Sequence, residues 1–248
     1  MSRVAVLTYH ALDSTGSVLS VTPAEFRAHV DAVARSGRPV IPPSRLRHSF
    51  AESPTVDRDG FAFTFDDGFA TVAEFAAPIL AERGFRYALF LVTSWVGKTN
   101  DWPGQPGWVV RAPLMGWDTI GRLAAAGAEI GVHTMDHPDL SALSDSAIVE
   151  QLDGCAQEVE RRLGTRPRLF AYPGGRADER CRRLAAARFE AAFGTRHARM
   201  MDGDDRFDIP RIETYYFHAP DQFQRLLSPR IDERLAARRL LRRVRRLG

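Results

Sequence analysis

The chain carries two sets of residues whose types and spacing suit hydrolysis assisted by a metal ion. His133 and His137 stand four apart, a spacing that puts both imidazoles on one face of a helical turn, where they can grip one ion. Asp66 and Asp67 are adjacent and are followed by Gly68. Adjacent carboxylates on a turn point in different directions, so one can ligate the ion while the other stays free as a general base. The glycine lets the backbone turn tightly beside them. Two imidazoles and one carboxylate leave open positions on zinc or a similar ion, as a catalytic metal needs. The plainer readings are solvated surface histidines and a pair of acids capping the helix that begins at Phe69. Capping needs only one acid, and a doubled charge after the apolar run ending at Phe65 is costly without a partner.

These residues need elements that bring them together. Short apolar runs alternate with segments of helical spacing. Strands are expected at residues 4–9, 61–65, 87–92, 128–132, 168–172, 191–194 and 209–214, and helices at 23–36, 69–83, 118–126, 144–163 and 180–187. Gly37, Gly84, Gly127 and Gly164 close several helices, as suits the left-handed residue after a helix C-terminus. The alternation predicts an α/β fold with a parallel sheet, and about seven such units favour a barrel. Polar clusters follow the strand candidates at once: Tyr9-His10, Asp66-Asp67-Gly68, the 133–137 segment and Tyr172-Pro173-Gly174-Gly175. At the C-terminal ends of parallel barrel strands, all four converge on one mouth. Residues 95–117 break the rhythm. They are rich in Gly and Pro, hold Trp95, Trp102, Trp108 and Trp117, and are too aromatic for disorder. Exposed rings there would stack on a sugar face; packed rings would pin the loop to the barrel, the role favoured for Trp117 because a helix follows it directly.

Thr64-Phe65-Asp66-Asp67-Gly68 resembles, letter for letter, the first motif of the polysaccharide deacetylases (carbohydrate esterase family four, the NodB-like domain). His133-Thr134-Met135-Asp136-His137 resembles their second motif, His-Ser/Thr-x-x-His, and the resemblance spans roughly residues 4–215. It implies a distorted (β/α) barrel of about seven parallel strands and removal of N-acetyl groups from an amino sugar. Position by position, it implies that Asp66 is the general base and that Asp67, His133 and His137 bind a divalent metal. Zinc is the first expectation, with cobalt, nickel or manganese as substitutes. Phe170-Ala171-Tyr172-Pro173-Gly174-Gly175 resembles the third motif of a subgroup in which the tyrosine backbone N–H helps hold the oxyanion, which makes Tyr172 a catalytic candidate. The arginine that elsewhere stands two residues before the proline and orients the base is absent; Arg111, Arg176 and Arg211 are the candidates to replace it. Also absent is the Leu-x-His motif that supplies the general acid in much of the family. Leu7-Thr8-Tyr9-His10 resembles a subgroup acting on poly-N-acetylglucosamine, where a histidine after the first strand takes that role. His10 is therefore the expected acid, with His218 and His197 behind it. Trp95, Trp102, Trp108 and Arg111 are the expected substrate contacts.

Composition adds bounds. At 248 residues, 44% hydrophobic and 26% charged, the chain suits one globular catalytic domain over 1–230. Cys155 and Cys181 form no disulfide framework and no paired-cysteine metal motif. The apolar run at residues 4–7 is too short for a signal peptide, and a cytoplasmic location is expected. The net charge of +3 is uneven: residues 234–248 hold seven arginines and no acid, so the rest of the chain nets −4. Residues 231–248 read as a basic amphipathic helix with Ile231, Leu235, Leu240, Leu241, Val244 and Leu247 on one side. It is expected to touch an anionic membrane at the inner face, or equally to pack on the barrel. No recognition motif accompanies the arginines, so nucleic acid is not an expected partner. Two other functions fit the residues. An O-acetyl sugar esterase would use the same site with less need of the acid, and a non-catalytic glycan-binding barrel would not need Asp66.

Overall fold

The computed structural model describes residues 3–47, 59–228, 231–233 and 235–236. In chain order its strands are β1 (Arg3–Tyr9), β2 (Ala11–Leu12), β3 (Ser20–Val21), β4 (Gly60–Phe65), β5 (Tyr87–Leu91), β6 (Glu129–Val132), β7 (Leu169–Ala171), β8 (Ala191–Phe193), β9 (Met200–Met201) and β10 (Ile212–Glu213). Its helices are α1 (Pro23–Arg35), α2 (Ala77–Ala81), α3 (Trp117–Ala125), α4 (Asp145–Leu163), α5 (Glu179–Ala186) and α6 (Pro220–Gln224). The main sheet runs β10-β1-β4-β5-β6-β7-β8 with every neighbouring pair parallel. From β1 to β8 the sheet follows chain order, with α1, α2, α3, α4 and α5 lying between successive strands. The seam between β8 and β10 is bridged at Ile209, which donates to the Ala192 carbonyl and accepts from the Gly194 N–H, both at 2.9 Å. The result is the distorted (β/α) barrel, with β9 added antiparallel at the start of β1.

Alternation along the strands separates two cores. Val4, Val6, Ala62, Ala88, Phe90, Leu169, Ala171, Ala191 and Phe193 pack together inside the barrel. Ala5, Leu7, Tyr9, Phe61, Phe63, Phe65, Leu89 and Leu91 face the helices, meeting Phe26, Val30 and Val33 of α1 and Ile148, Leu152 and Val159 of α4. Burial on both faces is why these strands read as continuous apolar runs. Gly131 is required by packing, since a Cβ there would lie 2.6 Å from the Phe90 ring.

Local signals account for the helix ends. Thr22 and Glu25 form a reciprocal capping box at the start of α1, and Ser144 caps α4, which closes on left-handed Gly164. The helix expected over residues 69–83 is interrupted: a π-turn at Val72–Ala76 leads into the short α2. Pro78 has no N–H to give the carbonyl four residues back, so the ladder widens before it. The aromatic loop is ordered, tied by Gly97 to Met115, Leu114 to Lys98 and Met115 to Gly68. No helix among the described residues is long and apolar enough to cross a membrane. Of the expected C-terminal helix, residues 231–233 and 235–236 are helical and bury Ile231 and Leu235 in the core. The rest of that expectation lies outside the described residues.

Candidate active site

Asp66 and Asp67 leave the end of β4, His133 leaves β6, His10 leaves β1, and Arg211 and Glu213 stand at β10. The C-terminal ends of the parallel strands thus deliver them to one cavity of about 370 Å³. Asp67, His133 and His137 each turn one ligand atom inward, all within 4.8 Å of one another. Both imidazole Nε2 atoms lie 3.7 Å from Asp67 Oδ1. His133 Nδ1 donates to the Ala171 carbonyl at 2.7 Å, which fixes the tautomer and leaves the Nε2 lone pair facing Asp67. Asp67 Oδ1 is buried with no hydrogen-bond partner. Burial, reinforced by the neighbouring Asp66, pushes the Asp67 carboxyl up to about 7, and burial lowers His133 to about 4. A divalent cation among the three would satisfy the orphaned oxygen and use neutral imidazoles, so the donor set fits a metal.

The ligand spacing was expected on a helical turn, and the structure corrects this. Residues 133–137 form a loop, and Asp67, Thr134 and His137 are the non-glycine residues with positive φ among the described residues, at 68°, 71° and 59°. Backbone strain is therefore concentrated around the candidate metal ligands.

Asp66 meets a different environment. Arg211, itself buried, grips both oxygens with Nη1 at 2.6 Å and Nη2 at 2.8 Å, while its Nε donates to the Gly194 carbonyl at 2.9 Å. Burial alone would raise the Asp66 carboxyl, but the guanidinium, with His133 and His10, outweighs it and holds the group well below the usual carboxylate range. Neighbouring carboxylates are pushed apart, the signature of divided roles. Of the three arginines proposed to orient the base, the structure brings Arg211. Arg111 instead staples its own loop through Asp101 and three carbonyls, and Arg176 pairs with Asp139.

His10 sits between two carboxylates, Nε2 3.9 Å from Asp66 Oδ2 and Nδ1 4.0 Å from Glu213 Oε2. Burial works against its charge, but Glu213, Asp67 and Asp66 outweigh it and raise the imidazole above its ordinary value. His218 pairs with Glu25 away from the cavity, and His197 packs against Tyr216 and Phe217. Neither lines the site, whereas His10 does.

Tyr172 does not line the cavity, and its backbone N–H is already used. Its N–H donates to the Phe193 carbonyl at 3.0 Å within the sheet, and its hydroxyl donates to the Phe207 carbonyl. Gly174, two residues on with φ 57°, lines the cavity instead. The tryptophans also divide. Trp102 is buried and stacks on His137 with centroids 4.5 Å apart, Trp108 is 69% exposed on the cavity rim, and Trp95 packs edge-on to Trp102 without reaching the cavity. Trp95 and Arg111 therefore shape the loop rather than line the site. Glu213, Tyr215 and Tyr216 line the cavity without having been expected there. Their signal was the end of the last strand candidate, where Arg211 also lies.

Residues 53–190 match the family model described as polysaccharide deacetylase. The chain is 21% identical over 178 residues to the putative polysaccharide deacetylase YxkH of Bacillus subtilis, covering 72% of this chain and 59% of that one. It thus spans less than two thirds of that relative's length. Its fold is similar to that of the Streptococcus pyogenes deacetylase PplD in complex with acetate, with a TM-score of 0.78, 18% identity, and coverage of 92% of this chain and 99% of that one. It is similar as well to IcaB from Ammonifex degensii, with a TM-score of 0.76, 20% identity, and coverage of 91% and 96%. With a model match across more than half its length, a parallel barrel and an Asp-His-His cluster at its mouth, the chain belongs to the polysaccharide deacetylase family.

Proposed function

We propose that the protein is a metal-dependent hydrolase that removes the N-acetyl group from an amino sugar. One observation carries this reading. A buried Asp–Arg pair, an Asp-His-His cluster with an orphaned oxygen, and a histidine held between carboxylates share one cavity beside an exposed tryptophan. Asp67, His133 and His137 would hold a divalent ion, which would supply Lewis acidity toward the acetamide carbonyl and the attacking water. Asp66 takes the proton of that water, held ionised and aimed by Arg211. The Gly174 N–H is assigned to the developing oxyanion, in place of Tyr172. His10, whose imidazole Glu213 raises above its ordinary value against the effect of burial, gives its proton to the departing amine, which cannot leave as an anion. Trp108 offers a ring face to the sugar. Zinc is the proposed ion and a poly-N-acetylglucosamine-like glycan or a lipid-linked N-acetyl sugar the proposed substrate, met on the cytoplasmic side of the membrane.

The test is acetate release from N-acetylglucosamine oligomers and from a lipid-linked N-acetyl sugar, after chelation and zinc addback. Zinc-dependent release that falls by two orders of magnitude or more in Asp66→Asn is expected (about 10²–10⁴ for an acid–base group). His10→Ala should lose amide hydrolysis while keeping most of its activity on an O-acetyl sugar. Zinc binding without release from any acetamide would favour the esterase; wild-type glycan affinity in Asp66→Asn without any hydrolysis by the native protein would favour a binding barrel.

A further inference from the structure

We propose that Gln151 is a positioning residue for the metal site, its side-chain amide clamping the middle of the 133–137 loop so that His133 and His137 are set before the ion arrives. This rests on the reading that Asp67, His133 and His137 hold a divalent cation.

The loop needs external support. Its two ends carry the imidazoles, and it holds Thr134 and His137 in the left-handed region at φ 71° and 59°. That conformation is costly for any side-chain-bearing residue, most of all a β-branched one. Backbone secures one flank: the Thr93 and Ser94 N–H groups donate to the carbonyls of Thr134 at 3.2 Å and Met135 at 3.1 Å. Those bonds use carbonyls and leave the loop's own N–H groups to be met elsewhere. Thr134 Oγ1 accepts the His137 N–H at 2.9 Å. Gln151 of α4 takes the next two: its Oε1 accepts from Met135 N–H at 3.0 Å and from Asp136 N–H at 3.1 Å. Its Nε2 then donates to Asp136 Oδ2 at 2.9 Å. One primary amide thus engages three groups on two consecutive residues, both between the ligands.

The helix is fitted to this contact. Three residues on, a Cβ at Gly154 would lie 2.2 Å from Met135 Sδ, so the absent side chain is what lets the loop settle on α4. Gln151 touches neither imidazole. Its action passes through the backbone, and such outer partners of a metal site commonly set 10- to 100-fold of its affinity.

The experiment is a zinc titration of the metal-stripped protein against a chromophoric chelator, at a temperature where circular dichroism shows each variant folded. Gln151→Met keeps the length of the side chain and removes the amide; zinc binding weaker by roughly 10- to 100-fold is expected. Asp136→Ala, which removes only the Nε2 bond, should weaken zinc binding several-fold, and Asp136→Asn, which keeps an acceptor, should restore it to within about twofold of wild type. A purely structural glutamine would lower the unfolding temperature and leave the zinc dissociation constant alone. Gln151→Met binding zinc as tightly as wild type therefore overturns the proposal, and Asp136→Ala decides by the same criterion if Gln151→Met does not fold. A wild-type protein that binds neither zinc nor cobalt overturns the metal reading and this proposal with it; wild-type binding with unchanged variants overturns this proposal alone.

Discussion

Asp66 and Asp67 are chemically identical neighbours that the structure makes into different groups. Both are buried, yet Asp66 has a bidentate guanidinium and Asp67 has an oxygen with no partner. If Asp66 is the base, as proposed, Arg211 is as necessary to the chemistry as the carboxylate it grips. Replacing it by methionine leaves Asp66 buried and unpaired, and truncating one side of such a pair costs about 3–5 kcal/mol of stability. The catalytic consequence has a definite sign. As the proposed base, Asp66 must be ionised to act, and Arg211, with His133 and His10, keeps it ionised far into acid. Without Arg211 its carboxyl rises, and the acid limb of the kcat/KM profile should move to higher pH while zinc affinity changes little. A pH–rate profile of zinc-loaded Arg211→Met, beside a zinc titration, checks both. An acid limb that stays in place would separate Arg211 from the base.

At the scale of elements, loops and short turns position the site while strands supply the frame. The 133–137 loop achieves with left-handed residues and a glutamine clamp what a helical turn was expected to do, which the four-residue spacing alone could not reveal. Helix α1 is locked to the barrel by a buried histidine. His29 Nε2 donates to the His218 carbonyl at 2.8 Å, its Nδ1 accepts from the Tyr9 hydroxyl at 3.1 Å, and its ring stacks on Phe223 of α6. Burial lowers this imidazole to about 4, against the carbonyl bond that favours its charge. An unfolded histidine titrates near 6.5, so between about pH 6.5 and 4 the unfolded chain binds a proton that the native protein does not. The neutral ring's contribution is thus present above pH 6.5 and lost as pH falls through that window, on the order of 3 kcal/mol. His133 is depressed over the same range in the metal-free protein, so wild type alone would not isolate the effect. Urea unfolding of His29→Gln beside wild type should show a shallower loss of stability between pH 6.5 and 4. Identical slopes would remove His29 as the cause.

For the whole molecule, the barrel brings residues from positions 10 to 213 to one mouth and packs the helical residues 231–233 and 235–236 against its side. Ile231 and Leu235 are fully buried, and Asp232 accepts from buried Arg199 at 2.8 Å. The expected amphipathic pattern thus begins with a turn whose apolar side already has a partner in the core. Leu235→Ala should cost about 2–5 kcal/mol, as other buried leucine truncations do. The unfolding temperature should fall while the zinc-dependent rate at 25 °C stays at the wild-type level. A lowered rate at full folding would mean that this helix acts on the site and does more than complete the core.

The sequence by itself determined where the main strands fall and which polar clusters follow them, those that hold His10, Asp66, Asp67, His133 and His137, because these follow from local patterning: apolar runs on strands buried on both faces, and polar residues where those runs stop. The division of roles between Asp66 and Asp67 and the choice of His10 as acid were what the family resemblance implied. The sequence also carried Arg211 and Glu213 at the end of a strand candidate, but could not choose Arg211 over Arg111 or Arg176, since each lies more than 40 residues from Asp66 and only closure of the barrel through Ile209 selects among them. Tyr172 was displaced from its expected role for the same reason: whether an N–H faces a cavity or a neighbouring strand depends on β8, which lies 20 residues further along the chain. Gln151 had no local signature at all. A glutamine on a helix is ordinarily a solvated residue, and only the descent of the 133–137 loop onto Gly154 makes it a clamp.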